Sequence, residues 1–131
     1  MTTIVEIVPY QLITLGHLGG TRTAPSSWTP PAEKAYDALG HTLVSIQYFV
    51  ETLSPPAGSL SFTIDLQHSN DKQYFPPLDT QTVNVTGGGV FTQDILASAS
   101  DFARFLRVTL TSVDFQGTIA FKAVMTLKKN N

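Results

Sequence analysis

The chain has 131 residues, of which 42% are hydrophobic and 14% are charged, and eight basic and ten acidic residues give a net charge of −2. The absence of cysteine excludes disulfides, thiolate metal sites and cysteine nucleophiles. The sequence offers no basic stripe to neutralise nucleic-acid phosphates, so we expect no nucleic-acid partner. Because charge is well below the roughly 25% that is usual, the surface is suited to lasting contact with other protein.

The N-terminal segment, residues 3–15, is rich in β-branched residues and is interrupted by Pro9, which predicts a strand with an edge position or a bend. Its residues Ile4, Val5 and Ile7 are interface candidates, since an extended arm can add to the sheet edge of a neighbour. Pairing within the chain's own sheet is the interpretation we favour. Neither a signal-peptide pattern nor an apolar run of membrane-spanning length is present, so we expect synthesis in a cytoplasm and no membrane partner.

A proline-rich loop at about residues 21–40 follows, with a short turn expected at 32–39. Long loops inside compact domains are often functional. A flap that only covers one open end of the domain is the competing interpretation. The interface candidates in this loop are Trp28, Pro30, Pro31 and Tyr36.

The remaining strands are predicted where apolar and polar residues alternate with period two. They span residues 41–53, 59–69, 80–86, 90–96, 102–112 and 118–128. Such alternation gives each strand one buried and one solvated face, which is typical of antiparallel sheets. We therefore predict an all-β fold, an antiparallel β-sandwich of about seven or eight strands that is jelly-roll-like and forms one domain over residues 1–131.

Connections between these strands carry turn signals. Prolines and a glycine at 54–58 predict a hairpin between 41–53 and 59–69. The three glycines at 87–89 predict a second hairpin, between 80–86 and 90–96. Residues 97–101 are expected to form one helical turn.

Residues of the types that bind metals or act in catalysis do not form a recognisable motif. His17, His41 and His68 lie in three segments without the spacing of a metal-ligand pair, and we expect His68 to be partly buried and hydrogen-bonded. The aspartates at 65, 71 and 79 do not match calcium-loop spacing. No GxSxG elbow or phosphate-binding loop occurs. We expect no enzyme activity, no metal and no cofactor.

Sugar binding is a separate possibility, because β-sandwiches commonly stack sugars on exposed aromatic rings. Trp28 and Tyr36, together with Tyr74 and Phe75 near the end of the turn at 70–75, could supply such a platform. Aromatic residues beside prolines, however, usually pack a loop onto its own domain. Both interpretations stay open at this point.

Two stretches resemble small phage virion proteins. Residues 61–78, SFTIDLQHSNDKQYFPPL, resemble the strand and polar turn of that family, and residues 102–111, FARFLRVTLT, resemble its later strand. Lys72 and Gln73 stand where a glycine is common, and Tyr74 and Phe75 stand where a tryptophan is common. The resemblance implies a head decoration or cement protein on a jelly-roll or related sandwich, commonly a trimer.

From the resemblance we expect a virion structural protein that stabilises the phage head by binding the shell of the major capsid protein as a homo-oligomer, with a trimer favoured. The alternative is a carbohydrate-binding module of a tail or fibre. The interface candidates are Ile4, Val5, Ile7, Trp28, Pro30, Pro31, Tyr36, Tyr74 and Phe75.

Overall fold

The computed structural model describes residues 2–15, 27–52, 60–85, 91–113, 115 and 117–129. A short 3-10 helix spans Ala32–Lys34, and none of the described helices could cross a membrane. The strands of the described residues are β1 Thr2–Leu15, β2 Ser27–Trp28, β3 Tyr36–Asp37, β4 Leu43–Thr52, β5 Leu60–Ser69, β6 Pro77–Val85, β7 Phe91–Ser100, β8 Phe105–Ser112 and β9 Gly117–Lys128.

The strands form two sheets that pack face to face. Sheet A has the order β1-β9-β4-β7, and sheet B has the order β2-β8-β5-β6 with β3 also paired to β8. All of these strand pairs are antiparallel. The predicted antiparallel β-sandwich is therefore confirmed.

Both predicted hairpins are wrong. β4 belongs to sheet A, whereas β5 belongs to sheet B. β6 belongs to sheet B, whereas β7 belongs to sheet A. β5 instead pairs with β6, and β7 pairs with β4. The connections at 53–59 and 86–90 lie outside the described residues. A turn signal reverses the chain equally well into the same sheet or into the facing one, so it does not identify the pairing partner.

The helical turn predicted at 97–101 is also wrong. β7 continues to Ser100, with Ala97 opposite Ile46 and Ser100 opposite Leu43 of β4. The strand ends at Ser100, and the next residue, Asp101, has a φ of 57°, which lies in the left-handed region. Pairing along the whole of β4 outweighs the helix propensity of two alanines.

The core lies between the sheets and is built from the alternate residues that the sequence pattern predicts. Tyr48 stacks on Phe121 with ring centroids 6.1 Å apart, and Phe62 packs at a tilt on Phe115 with centroids 5.4 Å apart. Each such side chain contributes roughly 1.5–3 kcal/mol when it is buried. The fully buried residues include Ile46, Val50, Ile64, Leu66, Leu106, Val108, Leu110, Ile119, Met125 and Leu127.

Phe115 also fixes the crossing from sheet B to sheet A. The N–H groups of Val113 and Phe115 donate to the carbonyl of Ser61, at 3.1 and 3.2 Å. The hydroxyl of Ser112 donates to the carbonyl of Phe115. These bonds satisfy buried backbone groups at the point where the chain leaves one sheet for the other.

The described part of the proline-rich loop covers the outer edge of β8. Trp28 lies opposite Leu110, and Tyr36 lies opposite Leu106. Arg104 donates from Nε and Nη2 to the two carboxylate oxygens of Asp37, at 2.9 and 2.7 Å. The loop is thus fastened to sheet B by backbone pairing and by one bidentate ion pair.

The hydroxyl of Tyr48 is buried without a hydrogen-bond partner in the described part of the protein. Burial raises the pKa of Tyr48 above its usual range, and the carboxylates of Asp79 and Asp65 add to the rise. Because the hydroxyl loses its hydration without replacement, we expect Tyr48→Phe to leave the free energy of unfolding unchanged or to raise it by up to about 1 kcal/mol. Urea denaturation measures this difference.

The matched control is Tyr48→Ala, which removes the ring as well and should cost about 3–5 kcal/mol. A loss of more than about 1 kcal/mol in Tyr48→Phe would mean that the hydroxyl has a partner.

The ion pair of Asp37 predicts an acid-dependent contribution to stability. The hydrogen bonds from Arg104 and from the N–H of Leu39 lower the pKa of Asp37 from 3.8 to about 2. A lowered folded-state pKa stabilises the fold above the unfolded value, and this contribution disappears as pH falls from about 4 to about 2. We therefore expect Asp37→Asn to lower Tm at pH 6, with the difference from the unmodified protein closing by pH 2.

Asp101→Asn is the control, because Asp101 is an exposed aspartate three residues before Arg104. Thermal unfolding followed by circular dichroism across the pH range checks the prediction. A Tm difference for Asp37→Asn that persists undiminished at pH 2 would show that the carboxylate charge is not its cause.

Candidate interaction surface

The two outer faces of the sandwich differ in chemistry. Eight large hydrophobic side chains are exposed among the described residues, and five of them lie on the outer face of sheet A. We call this the apolar face. The five are Ile4, Tyr10, Leu12, Leu43 and Leu96.

The outer face of sheet B is polar by comparison. It presents Thr63, Asp65 and Gln67 on β5 and Thr80, Thr82 and Asn84 on β6. The hydroxyl of Thr80 donates to Asp65 at 2.6 Å, and Arg107 Nε donates to Gln67 at 2.8 Å. Polar side chains on this face bond one another across the strands, whereas the apolar face leaves hydrophobic area in water.

Tyr10 reaches the apolar face because β1 is irregular. The register between β1 and β9 shifts between Glu6 and Val8 and again between Val8 and Gln11. Pro9 has no N–H to donate and is tolerated here because β1 is an edge strand. Such bulges redirect side chains. Leu12, beyond them, lies opposite Ala120 and faces outward.

The centre of the apolar face is a shallow groove of about 390 Å³, lined by Tyr10, Gln47, Phe49, Lys122 and Val124. Phe49 on β4 lies directly opposite Lys122 of β9. The rings of Tyr10 and Phe49 approach from both sides of β9, with centroids 6.4 Å apart and planes tilted by 36°. An aromatic pair, an amide and an ammonium group therefore border one depression.

A second hollow of about 390 Å³ lies towards the start of β4 on the same face. Its lining is rich in hydroxyl groups, from Ser45, Ser98, Ser100 and Thr126, with Leu43 and Lys128 beside them. The apolar face thus passes from an aromatic centre to an end that is rich in hydroxyl groups and includes Lys128.

The N-terminal candidates lie on β1, which pairs with β9 of its own sheet. Ile4 is 72% exposed and belongs to the apolar face. Val5 and Ile7 are half-buried and pack against the core. Of these three candidates, Ile4 is the one that a partner can reach from the sheet surface.

The candidates in the proline-rich loop lie at the edge of sheet B. Trp28 and Tyr36 are half-buried and pack against the core. Pro30 is half-buried, and the exposed Pro31 stands immediately before the 3-10 helix. The rings of Trp28 and Tyr36 therefore serve largely to pack this segment onto its own domain.

Tyr74 and Phe75 are adjacent in sequence and separate in environment. Tyr74 is 74% exposed and lines a hollow of about 340 Å³ together with His68, Asn70 and Ala103. Phe75 is buried, and the guanidinium of Arg107 lies 3.7 Å from its ring centroid. The structure does not bring these two residues together with Trp28 into one aromatic platform.

Two of the polar residues considered for metal binding make hydrogen bonds within the fold, and His17 lies outside the described residues. His68 is half-buried, and its Nδ1 accepts the N–H of Ala103 at 2.9 Å, which confirms the expected hydrogen-bonded histidine. Asp71 accepts from the N–H groups of Gln73 and Tyr74 and from the hydroxyl of Ser69, and these bonds lower its pKa. Among the described residues, no group of three or more His, Asp or Glu side chains converges as metal ligands would.

Sequence analysis missed the centre of the apolar face. Phe49 and Leu96 occupy outward positions of their strands, so an apolar residue at a polar position of the alternation was the available signal. Tyr10 gave no such signal, because the bulges around Pro9 change which residues face outward.

Neither a protein-family model nor a curated protein sequence matches the chain. Solved structures share its fold. The protein of T=1 particles derived from infectious bursal disease virus matches with a TM-score of 0.55 and 10% identity, over 98% of this chain and 32% of that one. The exported protein XepA of PBSX matches with a TM-score of 0.51 and 10% identity, over 100% of this chain and 38% of that one.

A carbohydrate-binding module of Cellvibrio mixtus lichenase 5A, solved in complex with cellotriose, matches with a TM-score of 0.51 and 13% identity over 98% of each chain. This chain spans about a third of the length of the viral and XepA chains, at 32% and 38%. At these identities the similarities establish a fold that viral particle proteins and carbohydrate-binding modules share.

Proposed function

We propose that this protein is a structural component of a phage virion that binds the shell of the head through its apolar face, and that it is a binding protein and not an enzyme. The observation that carries the proposal is the concentration of exposed Ile4, Tyr10, Leu12 and Leu96 on one side of the sandwich. Exposed apolar side chains that gather on one face are typical of a site of contact with another protein.

The size of the face suits such a contact. Strands lie about 4.8 Å apart and rise about 3.3 Å per residue, so a four-stranded face covers on the order of 600 Å². A stable interface buries about 800 Å² on each partner, which the face and its rim can supply. Each Å² of apolar surface that leaves water contributes about 25 cal/mol before the cost of association is subtracted.

Charge supports a protein partner over a polyanion. Lys122 and Lys128 share the apolar face with Glu6, so neither sign dominates. The face therefore lacks the one-signed field that binding to nucleic acid requires. A nearly neutral, partly aromatic surface with a polar rim matches the composition of protein–protein interfaces.

The fold and the earlier resemblance agree with this role. The particle protein of infectious bursal disease virus has the same fold, and residues 61–78 and 102–111 resemble small phage virion proteins. With this support, we propose the virion as the location and the major capsid protein as the partner.

Carbohydrate binding is the second candidate function, and one observation favours it. The tilted rings of Tyr10 and Phe49 border a groove that also presents the amide of Gln47 and the ammonium of Lys122. Ligand sites combine apolar walls with a few oriented polar groups in this way. The site proposed for a sugar is thus the centre of the apolar face and not Trp28 or Tyr74.

We expect the double substitution Ile4→Glu/Leu12→Glu to weaken binding to shells assembled from the major capsid protein of the same phage by at least about tenfold in Kd, because it places two charges in the buried area. Co-sedimentation with shells that lack the protein measures this affinity. The matched control is Thr82→Glu/Asn84→Glu, which adds the same charges to the outer face of sheet B and should bind normally. Equal affinity of the two variants, or no binding by the unmodified protein, would refute the proposal.

The second candidate predicts saturable binding on a glycan array that Tyr10→Ala and Phe49→Ala each reduce by at least about tenfold, since each ring supplies stacking area. Tyr74→Ala, which removes an exposed ring outside the groove, is the control and should bind as the unmodified protein does. Binding that is lost in Tyr74→Ala and kept in Phe49→Ala would place the site in the hollow beside His68 instead.

A further inference from the structure

The free edge of β7 has the features of a strand that accepts another strand. β7 is the last strand of sheet A, and among the strands that the structure describes it pairs only with β4. Its register with β4 runs from Thr52↔Phe91 to Leu43↔Ser100 without a bulge. The far side of a regular edge strand presents unpaired N–H and C=O groups, which form a template for pairing.

The other edges of the described strands are protected. β1 contains Pro9 and two register shifts against β9. β6 begins at Pro77, carries Asp79 and has a register shift against β5. The outer side of β8 is covered by β2 and β3. Prolines, bulges, charges and covering segments are the devices by which proteins prevent edge pairing.

We propose that β7 pairs antiparallel with β7 of a second copy of this chain, so that two sheets A join into one continuous sheet across a two-fold axis. The occupant is a second copy because an antiparallel edge is complementary to itself under a two-fold rotation, and each donor then meets an acceptor. This inference does not rest on the proposed binding to a capsid shell.

The side chains of β7 select the register of this pairing. Leu96 is 73% exposed on the apolar face at the free edge. A two-fold axis at Leu96 sets this residue opposite its own copy, so that two exposed leucines cover each other. The same register places Ile95 opposite Ala97 of the second copy. The described side chains from Ile95 to Ser100 are uncharged.

Space is available along this edge. A groove of about 330 Å³ lies beside β7 and is lined by Leu96, Ala97, Ser98, Ser45, Asp79 and Gln81. Ala97 and Ala99 are only half-buried although they point inward, as residues at an open edge of a sandwich do. Small side chains let a second strand approach without steric conflict.

The resemblance to small phage virion proteins implies a trimer. Isologous pairing of β7 predicts a dimer instead, because one edge that is complementary to itself closes after two copies.

We therefore expect light scattering after size exclusion, at tens of micromolar protein, to give twice the mass of the chain. Leu96→Lys places two like charges opposite each other and should shift the mass to that of one chain, whereas Leu12→Lys, a similarly exposed position on β1, should stay dimeric.

The register can be tested by disulfide cross-linking of an introduced cysteine, because the chain contains no cysteine of its own. Cα atoms directly opposite in antiparallel strands lie about 4.5–5.5 Å apart, within the range for a disulfide. Mild oxidation should therefore cross-link Leu96→Cys into dimers at least tenfold more than Leu12→Cys, as seen on a non-reducing gel. A monomeric or trimeric unmodified protein, or equal cross-linking of the two cysteine variants, would overturn the proposal. Circular dichroism confirms that each exposed-site variant is folded.

Discussion

The whole structure depends on the burial of the apolar inner face of each sheet against the inner face of the other. Each sheet has one face of Val, Ile, Leu and Phe that is stable only when the other sheet covers it. Most consecutive strands therefore lie in different sheets, and the chain changes sheet between β1 and β2, β3 and β4, β4 and β5, β6 and β7, β7 and β8, and β8 and β9. Phe115, tied to Ser61 through backbone hydrogen bonds, holds the last of these crossings.

Once the inner faces are buried, the outer faces determine what the protein can contact. Sheet B uses its outer face for cross-strand polar bonds such as Thr80 to Asp65 and Arg107 to Gln67. Sheet A keeps leucines, an isoleucine and an aromatic pair in water. Exposure of these apolar side chains to water is unfavourable in free energy, and a partner that covers the face removes this cost. The apolar face and the β7 edge both lie on sheet A, which is the side that we propose for contact with the shell and with a second copy.

Period-two alternation predicts the strands and their buried residues because it is a local property of extended chain, as Ile46, Tyr48 and Phe62 show. Pairing partners were predicted wrongly because a turn such as 54–58 does not encode which sheet the next strand joins. Phe49 and Leu96 were visible in principle as apolar residues at outward positions. Tyr10 was not, since the bulges at Pro9 alter the alternation, and its contact with Phe49 depends on the order of β1, β9 and β4.

The most direct test of the proposed binding to the shell is cryo-electron microscopy of phage shells saturated with the protein. We expect density for the sandwich with the apolar face, marked by Tyr10 and Phe49, against the shell, and with the threonine-rich outer face of sheet B towards solvent. Density in which sheet B or the Trp28 segment contacts the shell, or shells that carry no bound protein, would contradict it.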